Sequence, residues 1–175
     1  ERFESADAVV TQIRDDLSTA LSAKVKLEWV SMQTATPLQG CPAKCIDALD
    51  VDIESYDLRP DYLTARGEEI EERLCSHLLK SNCPVTNQPD WATLTIHYRG
   101  KAIDHAGLLK YIISFRQHAE FHEACVERMF MDLKKQCEPE ALTVFAQYTR
   151  RGGLDINPYR SDFEPFSGYQ RLIRQ

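Results

Sequence analysis

The chain has 175 residues, 43% of them apolar and 27% charged, a globular balance that excludes a disordered or fibrous protein. Lys and Arg number 21 against 27 Asp and Glu, a net charge of −6, and such a surface repels phosphate backbones, so direct nucleic-acid binding is not expected. No uncharged apolar run approaches the roughly 18 residues of a membrane helix. Glu1, Arg2, Glu4 and Asp7 stand where a secretory signal would be apolar. A soluble cytoplasmic protein without membrane partners is the expectation.

Ser5 is placed to cap a helix whose apolar positions Val9, Ile13, Leu17 and Leu21 recur every four residues. Lys24 to Met32 alternates, with Val25, Leu27 and Trp29 on one face, and reads as a strand. Gln33 to Lys44, with two prolines and Gly40, reads as a loop and an internal boundary. Asp50 to Tyr56 alternates again. From Gly67 to Lys80, Ile70, Leu74 and Leu78 trace a helical stripe with acids near its start. Ser81 to Asp90 is polar, carries Pro84 and Pro89, and reads as a loop joining that helix to a strand, in which Ala92, Leu94, Ile96 and Tyr98 alternate with Thr93, Thr95 and His97.

Two helices follow, marked by Leu108, Leu109, Ile112 and Ile113 and then by Phe121, Cys125, Met129 and Leu133. Leu142, Val144, Ala146 and Tyr148 make a last strand before a turn at Arg151-Gly152-Gly153, and the tail reads as irregular. Alternating half-buried strands with a few helices predict an α+β layer, an antiparallel sheet covered on one face by helices.

Six cysteines (Cys41, Cys45, Cys75, Cys83, Cys125 and Cys137) are too few for a disulfide scaffold of this length. Cys41 and Cys45 lie close together in Cys-Pro-Ala-Lys-Cys, but no second Cys or His pair follows at finger-like spacing. Reduced structural thiols are the expectation, with no metal.

Three segments carry candidate chemistry. In the first, Ser81 to Trp91, Pro84 pushes Cys83 out of the helical region and Pro89 does the same to Gln88. A thiol and the Asp90 carboxylate on one stiff loop can be nucleophile and proton donor. The same spacing also suits a cysteine buried as a small hydrophobe beside an Asp that merely opens a strand. The second is Phe121-His122-Glu123. An acid in a first helical turn is commonly a dipole partner, but a buried Glu123 could accept two parallel N–H bonds from a guanine-like edge, with His122 adding a polar contact. The third runs from Tyr148 to Ser161. Adjacent arginines beside two glycines can hold a phosphate, although Gly-Gly after a strand is also an ordinary turn and Arg160 could simply pair with an acid.

Together these segments resemble the C-terminal half of the queuosine-pathway nitrile reductases, the 7-cyano-7-deazaguanine reductases (QueF), in their long bacterial form. The residues that carry the resemblance are Ser81 through Trp91, Ser114-Phe115-Arg116, Phe121-His122-Glu123 and Tyr148 through Ser161, and similarity runs from about Phe3 to Gln175. The resemblance implies a tunnelling fold (T-fold) assembled into barrels across subunits, hence a homo-oligomer. It also implies NADPH-dependent reduction of a nitrile to a primary amine. In that family pattern Cys83 is the nucleophile that forms a thioimide, Asp90 is the proton donor, and His122 and Glu123 bind the deazaguanine. Arg151 and Gly152 fall where the long form contacts NADPH. No metal is implied. The product is a free base placed in tRNA by another enzyme. A T-fold module without turnover, or an unrelated cysteine amidase or transferase, are the competing readings.

One motif of the family, Glu-Ser-Lys-Ser followed by a further Lys and an aromatic residue, has no counterpart, because Glu4-Ser5 is followed by Ala6. The resemblance implies that this motif belongs to an N-terminal half. Residues 1–46 are then its closing helix and strand, and 47–175 the catalytic T-fold domain.

Overall fold

The structure is a computed structural model that describes residues 2–31 and 38–175. The chain separates into two compact units, residues 1–37 and 38–175. In the first, helix α1 (Ala6–Leu21) begins where Ser5 caps it, the Ser5 hydroxyl accepting from the Ala8 N–H at 3.1 Å. The expected strand at Lys24–Met32 is not formed: residues 24–31 take no regular structure, and Met32 lies outside the described residues. Alternation chooses a face, but a strand also requires a partner for its backbone groups. Of the loop expected at Gln33–Lys44, residues 33–37 also lie outside the described residues.

The second unit is a sheet of five strands in sequence order: β1 (Lys44–Cys45), β2 (Ala65–Asn82), β3 (Pro89–Ile103), β4 (Ala141–Tyr148) and β5 (Tyr159–Ser161). All neighbours are antiparallel except the two-residue β1, which runs parallel to β2. Helices α2 (His105–Ile113) and α3 (His122–Cys137) pack on one face. The expected α+β layer is therefore present, with the short parallel edge as a refinement.

The main correction is at Gly67–Lys80, which is the body of β2 and not a helix. Ile70, Leu74 and Leu78 are four apart, and four is a multiple of the strand period as well as nearly one helical turn. A register shift between Ser76 and Leu79 then re-aims the strand, so that Leu79 is fully buried while Leu78 is only partly so. The loop expected at Ser81–Asp90 shrinks accordingly to a hairpin turn between Asn82 and Pro89. Asp50–Tyr56 is likewise no strand; Val51 and Ile53 pack against the core without a ladder partner. The short β5 was hidden in the segment read as an irregular tail.

The core forms where one face of the sheet meets α2 and α3. Leu74 on β2 pairs with Ile96 on β3, which pairs with Val144 on β4, and all three are buried against Leu108, Ile112, Met129 and Leu133. Asp104 caps α2 by accepting from the Gly107 N–H at 2.9 Å. The segment after β5 covers part of the other face, where Phe163 meets His97 edge-on at 5.1 Å and Gln147 donates to the Gln170 carbonyl at 2.7 Å.

Candidate active site

One end of the sheet gathers the β2–β3 hairpin, the start of α3 and the exit of β4. At the hairpin, the Cys83 N–H donates to the Gln88 carbonyl and the Asn87 N–H to the Cys83 carbonyl, both at 2.9 Å. Asn87 takes φ +57°, a left-handed conformation that Asn tolerates better than most residues. The two prolines bracket this turn as the sequence predicts, and Asp90 sits opposite Ser81 in the ladder.

The end of β2 also holds the approach to α3. The Asn82 N–H donates to the His118 carbonyl at 2.8 Å, and the Glu120 N–H returns to the Asn82 carbonyl at 3.2 Å. That brings Phe121, His122 and Glu123 beside Cys83. From the other side, the Thr149 N–H donates to the Trp91 carbonyl at 2.9 Å, so the chain leaving β4 delivers Arg151 to the start of β3.

These segments enclose a cavity of about 160 Å³ lined by Cys83, Pro84, Asp90, Glu120, Phe121, His122, Glu123, Arg151 and Ile156. Five of the six residues singled out in the sequence thus share one cavity, and Gly152 adjoins it in the following turn. Asp90 is only 3% exposed; its Oδ1 lies 3.1 Å from Arg151 Nε, and its Oδ2 lies 3.1 Å from His122 Nε2 without hydrogen-bond alignment. His122 is 7% exposed, and neither ring nitrogen has a hydrogen-bond partner among the described residues. Its ring lies against Tyr148, which is fully buried. Buried polar atoms are normally paired, and those left open at the wall of a cavity are the groups a ligand can satisfy.

Glu123 is on the cavity wall but exposed, not buried, and makes no hydrogen bond or ion pair among the described residues. Arg151 is the less expected placement. Its guanidinium is held by Asp90 and by the Gln88 side-chain carbonyl at 3.2 Å, so it belongs to the wall of the Cys83 cavity. Gly152 and Gly153 follow with φ +59° and +85°, a turn that needs glycine, and both are exposed. Arg160, by contrast, pairs with Glu127 at 3.0 Å and lies outside the cavity.

The electrostatics favour a reactive thiol. Cys83 is lowered to about 7 by the Thr86 hydroxyl first, then by the Thr86 and Val85 N–H groups, with the Arg151 side chain adding to them against the opposing effect of burial. An ordinary buried cysteine behaves in the opposite way: burial pushes Cys125 up to about 11. Sequence reasoning missed Glu120, which is lowered to about 2 chiefly by its bonds to Arg128 and has no motif of its own. It also placed Phe121 in a buried stripe, whereas Phe121 is the residue before α3 and stands exposed on the cavity wall. Of Ser114-Phe115-Arg116, Ser114 and Phe115 are buried, Arg116 lies over the rings of Tyr56 and Trp91, and none of the three lines the cavity.

Residues 89–165 match the family model described as QueF-like protein. Over 176 aligned residues the chain is 51% identical to the NADPH-dependent 7-cyano-7-deazaguanine reductase of Hydrogenovibrio crunogenus, covering 99% of this chain and 64% of that protein. The protein of the same description from Bordetella pertussis is 54% identical over 166 residues, 93% of this chain and 61% of that one. A solved apo structure of an archaeosine synthase QueF-Like matches 57% of this chain and 98% of its own with a TM-score of 0.48 at 14% identity. The chain spans about six-tenths of the length of the curated relatives it matches. Along nearly all of its own length the chain is therefore similar to those reductases, and residues 89–165 carry a QueF-like domain.

Proposed function

We propose that this chain carries the covalent chemistry of an NADPH-dependent reduction of 7-cyano-7-deazaguanine to 7-aminomethyl-7-deazaguanine, a step of queuosine biosynthesis. The observation that carries the reading is the convergence of Cys83, Asp90, His122, Glu123 and Arg151 on one cavity, in a chain about half identical to reductases of that description.

A nitrile is a poor hydride acceptor, and covalent addition divides the difficulty. The Cys83 thiolate attacks the nitrile carbon; a C–S bond forms, one π bond of the nitrile breaks, and the nitrogen takes a proton to give a thioimide on Cys83. Asp90, buried in the same wall, carries protons to that nitrogen. The open ring nitrogens of His122 and the free carboxylate of Glu123 match the polar edge of a guanine-like base. Overall, one nitrile, two hydrides and two protons give one amine, and the enclosed wall shields the intermediate imine from water.

The turn after β4 suits a dinucleotide phosphate: Arg150 is exposed, Arg151 is half-buried, and a Cβ on Gly152 or Gly153 would meet nothing within 4 Å. NADPH, when bound, supplies the hydride for each two-electron reduction. Arg151 and Gly152 would hold it, with Arg151 also keeping its contact to the cavity wall. In this reading residues 47–175 are the catalytic T-fold part of a homo-oligomer, whose sheet also takes in β1, and the chain before residue 38 belongs to a neighbouring T-fold half.

The test is NADPH oxidation by the full-length protein that depends on 7-cyano-7-deazaguanine, with the amine identified by mass. Intact-mass measurement without NADPH should show one added nitrile mass, absent in Cys83→Ala and retained in Cys137→Ser. Hydrolysis of the nitrile without NADPH, or turnover that survives Cys83→Ala, would overturn the reading.

A further inference from the structure

We propose that Cys41, Cys45, Cys75 and His77 form a site for a soft divalent transition metal, a Cys₃His set of the kind that holds Zn²⁺. The site shares no residue with the Cys83 cavity and does not depend on the reductase reading.

The fold assembles what the sequence spacing does not. Parallel pairing of β1 with β2 sets Cys45 directly beside Cys75. His77 is two residues further along β2, so it projects on the same side as Cys75. The Cys45 and Cys75 sulfurs and a ring nitrogen of His77 all lie within 4.8 Å of one another. The Cys41 thiol, delivered by the segment before β1, lies 3.5 Å from the hydroxyl of Thr95, the residue opposite Cys75 in the β2–β3 ladder. All four are free thiols or imidazole, and Cys75 stands outside the apolar core formed with the helices.

Zinc with Zn–S near 2.3 Å and Zn–N near 2.0–2.1 Å in a tetrahedron requires donor atoms roughly 3.5–4 Å apart, so small side-chain rotations close this cluster on an ion. Surrounding groups already orient the donors. Thr93 Oγ1 lies 2.9 Å from His77 Nδ1, which leaves Nε2 as the nitrogen for a metal. Asp47, two residues after Cys45, accepts from the Ser76 hydroxyl at 2.6 Å and the His77 N–H at 2.8 Å, clamping β2 between its two donors. Three soft sulfurs and an imidazole select zinc or cobalt over calcium or magnesium, which take oxygen.

The full-length protein, untagged, reduced and metal-free, is titrated with Zn²⁺ against a chromophoric chelator, and separately with Co²⁺. One equivalent should bind in a thiol-dependent way. The Co²⁺ form should show thiolate charge-transfer absorption and ligand-field bands of tetrahedral intensity, with weaker charge transfer in Cys41→Ser. Cys45→Ser and Cys75→Ser should each lose stoichiometric binding; Cys45 is exposed, so its substitution removes a donor without opening the core. Thr93→Val should weaken binding by about 10–100-fold, as loss of a group orienting a ligand does. Cys137→Ser should bind normally. Zn²⁺ should raise the melting temperature of the wild type but not of Cys45→Ser. Substoichiometric binding in the wild type, binding that survives in both Cys45→Ser and Cys75→Ser, or a disulfide among these thiols that forms in preference to metal uptake would overturn the proposal.

Discussion

The imidazole of His122 lies flat on the phenol of Tyr148, with ring planes 3° apart and centroids 3.8 Å apart. The contact joins the first turn of α3 to the last residue of β4, and it fixes the plane in which His122 faces the cavity. Aromatic pairs are worth about 0.5–1.5 kcal/mol beyond their buried area, which corresponds to a loss of roughly two- to tenfold in binding if that orientation is used. Tyr148→Phe keeps the stack and removes a buried hydroxyl that has no hydrogen-bond partner among the described residues, so it should leave nitrile affinity unchanged. Tyr148→Leu should weaken it within that range. Titration of both variants, with melting temperatures alongside, decides; unchanged affinity in the leucine variant reduces the stack to core packing.

Asp90 is the most deeply buried charged side chain of the cavity, and Arg151 Nε is its ion-pair partner. Asp90→Asn keeps shape and removes the acid. Loss of a positioned proton carrier should lower the rate of nitrile reduction by ~10²–10⁴ with a smaller change in substrate affinity. Single-turnover kinetics separate the two, and a normal rate would remove Asp90 from the mechanism.

Glu123 stands exposed at the wall, so its role is open to a clean comparison. Glu123→Gln replaces one acceptor oxygen with donors, which sets donor against donor at a guanine-like edge. An unpaired polar group at a bound ligand costs about 1–3 kcal/mol, so affinity for the nitrile should fall at least several-fold. A carboxylate that served only the dipole of α3 would change stability by a few tenths of a kcal/mol, at about the low end of such effects, and leave affinity alone.

How legible the molecule is from its sequence varies with the kind of signal. The β3 and β4 alternation and the α2 and α3 stripes were readable because burial on one side leaves a period in the residues. At β2 the apolar spacing fits two periods at once, and the deciding fact, its pairing with β3, is not local. The convergence of Cys83 with His122 and Arg151 is also non-local: it depends on backbone bonds from Asn82 to the 118–120 segment and from Thr149 to Trp91. Composition and spacing raised those residues as candidates, and the family resemblance joined them. Neither predicted that Arg151 would bind Asp90, or that Cys45 would lie against Cys75, because both contacts are made by strand register and loop paths.

The last prediction concerns Thr86, which has no role in the family pattern read from the sequence. Its hydroxyl is the largest influence lowering Cys83 from an ordinary value of 9.0 to about 7, ahead of the Thr86 and Val85 N–H groups. Hydrogen bonds to a thiolate favour the charged form, so removing one must raise the pKa. In nitrile-free protein, alkylation of Cys83 by iodoacetamide should rise with pH through an inflection at about 7. Thr86→Val keeps the backbone N–H and the side-chain shape but loses the hydroxyl, and its inflection should move to higher pH. Because the folded pKa is depressed, the linked stabilisation is complete above pH 9, the ordinary value, and is lost as pH falls through about 7. The Thr86→Val protein should therefore lose more stability relative to wild type at pH above 9 than at pH below 7. Coincident alkylation profiles for the two proteins would show that the hydroxyl does not reach the thiolate, and would leave the backbone N–H groups and Arg151 as its activators.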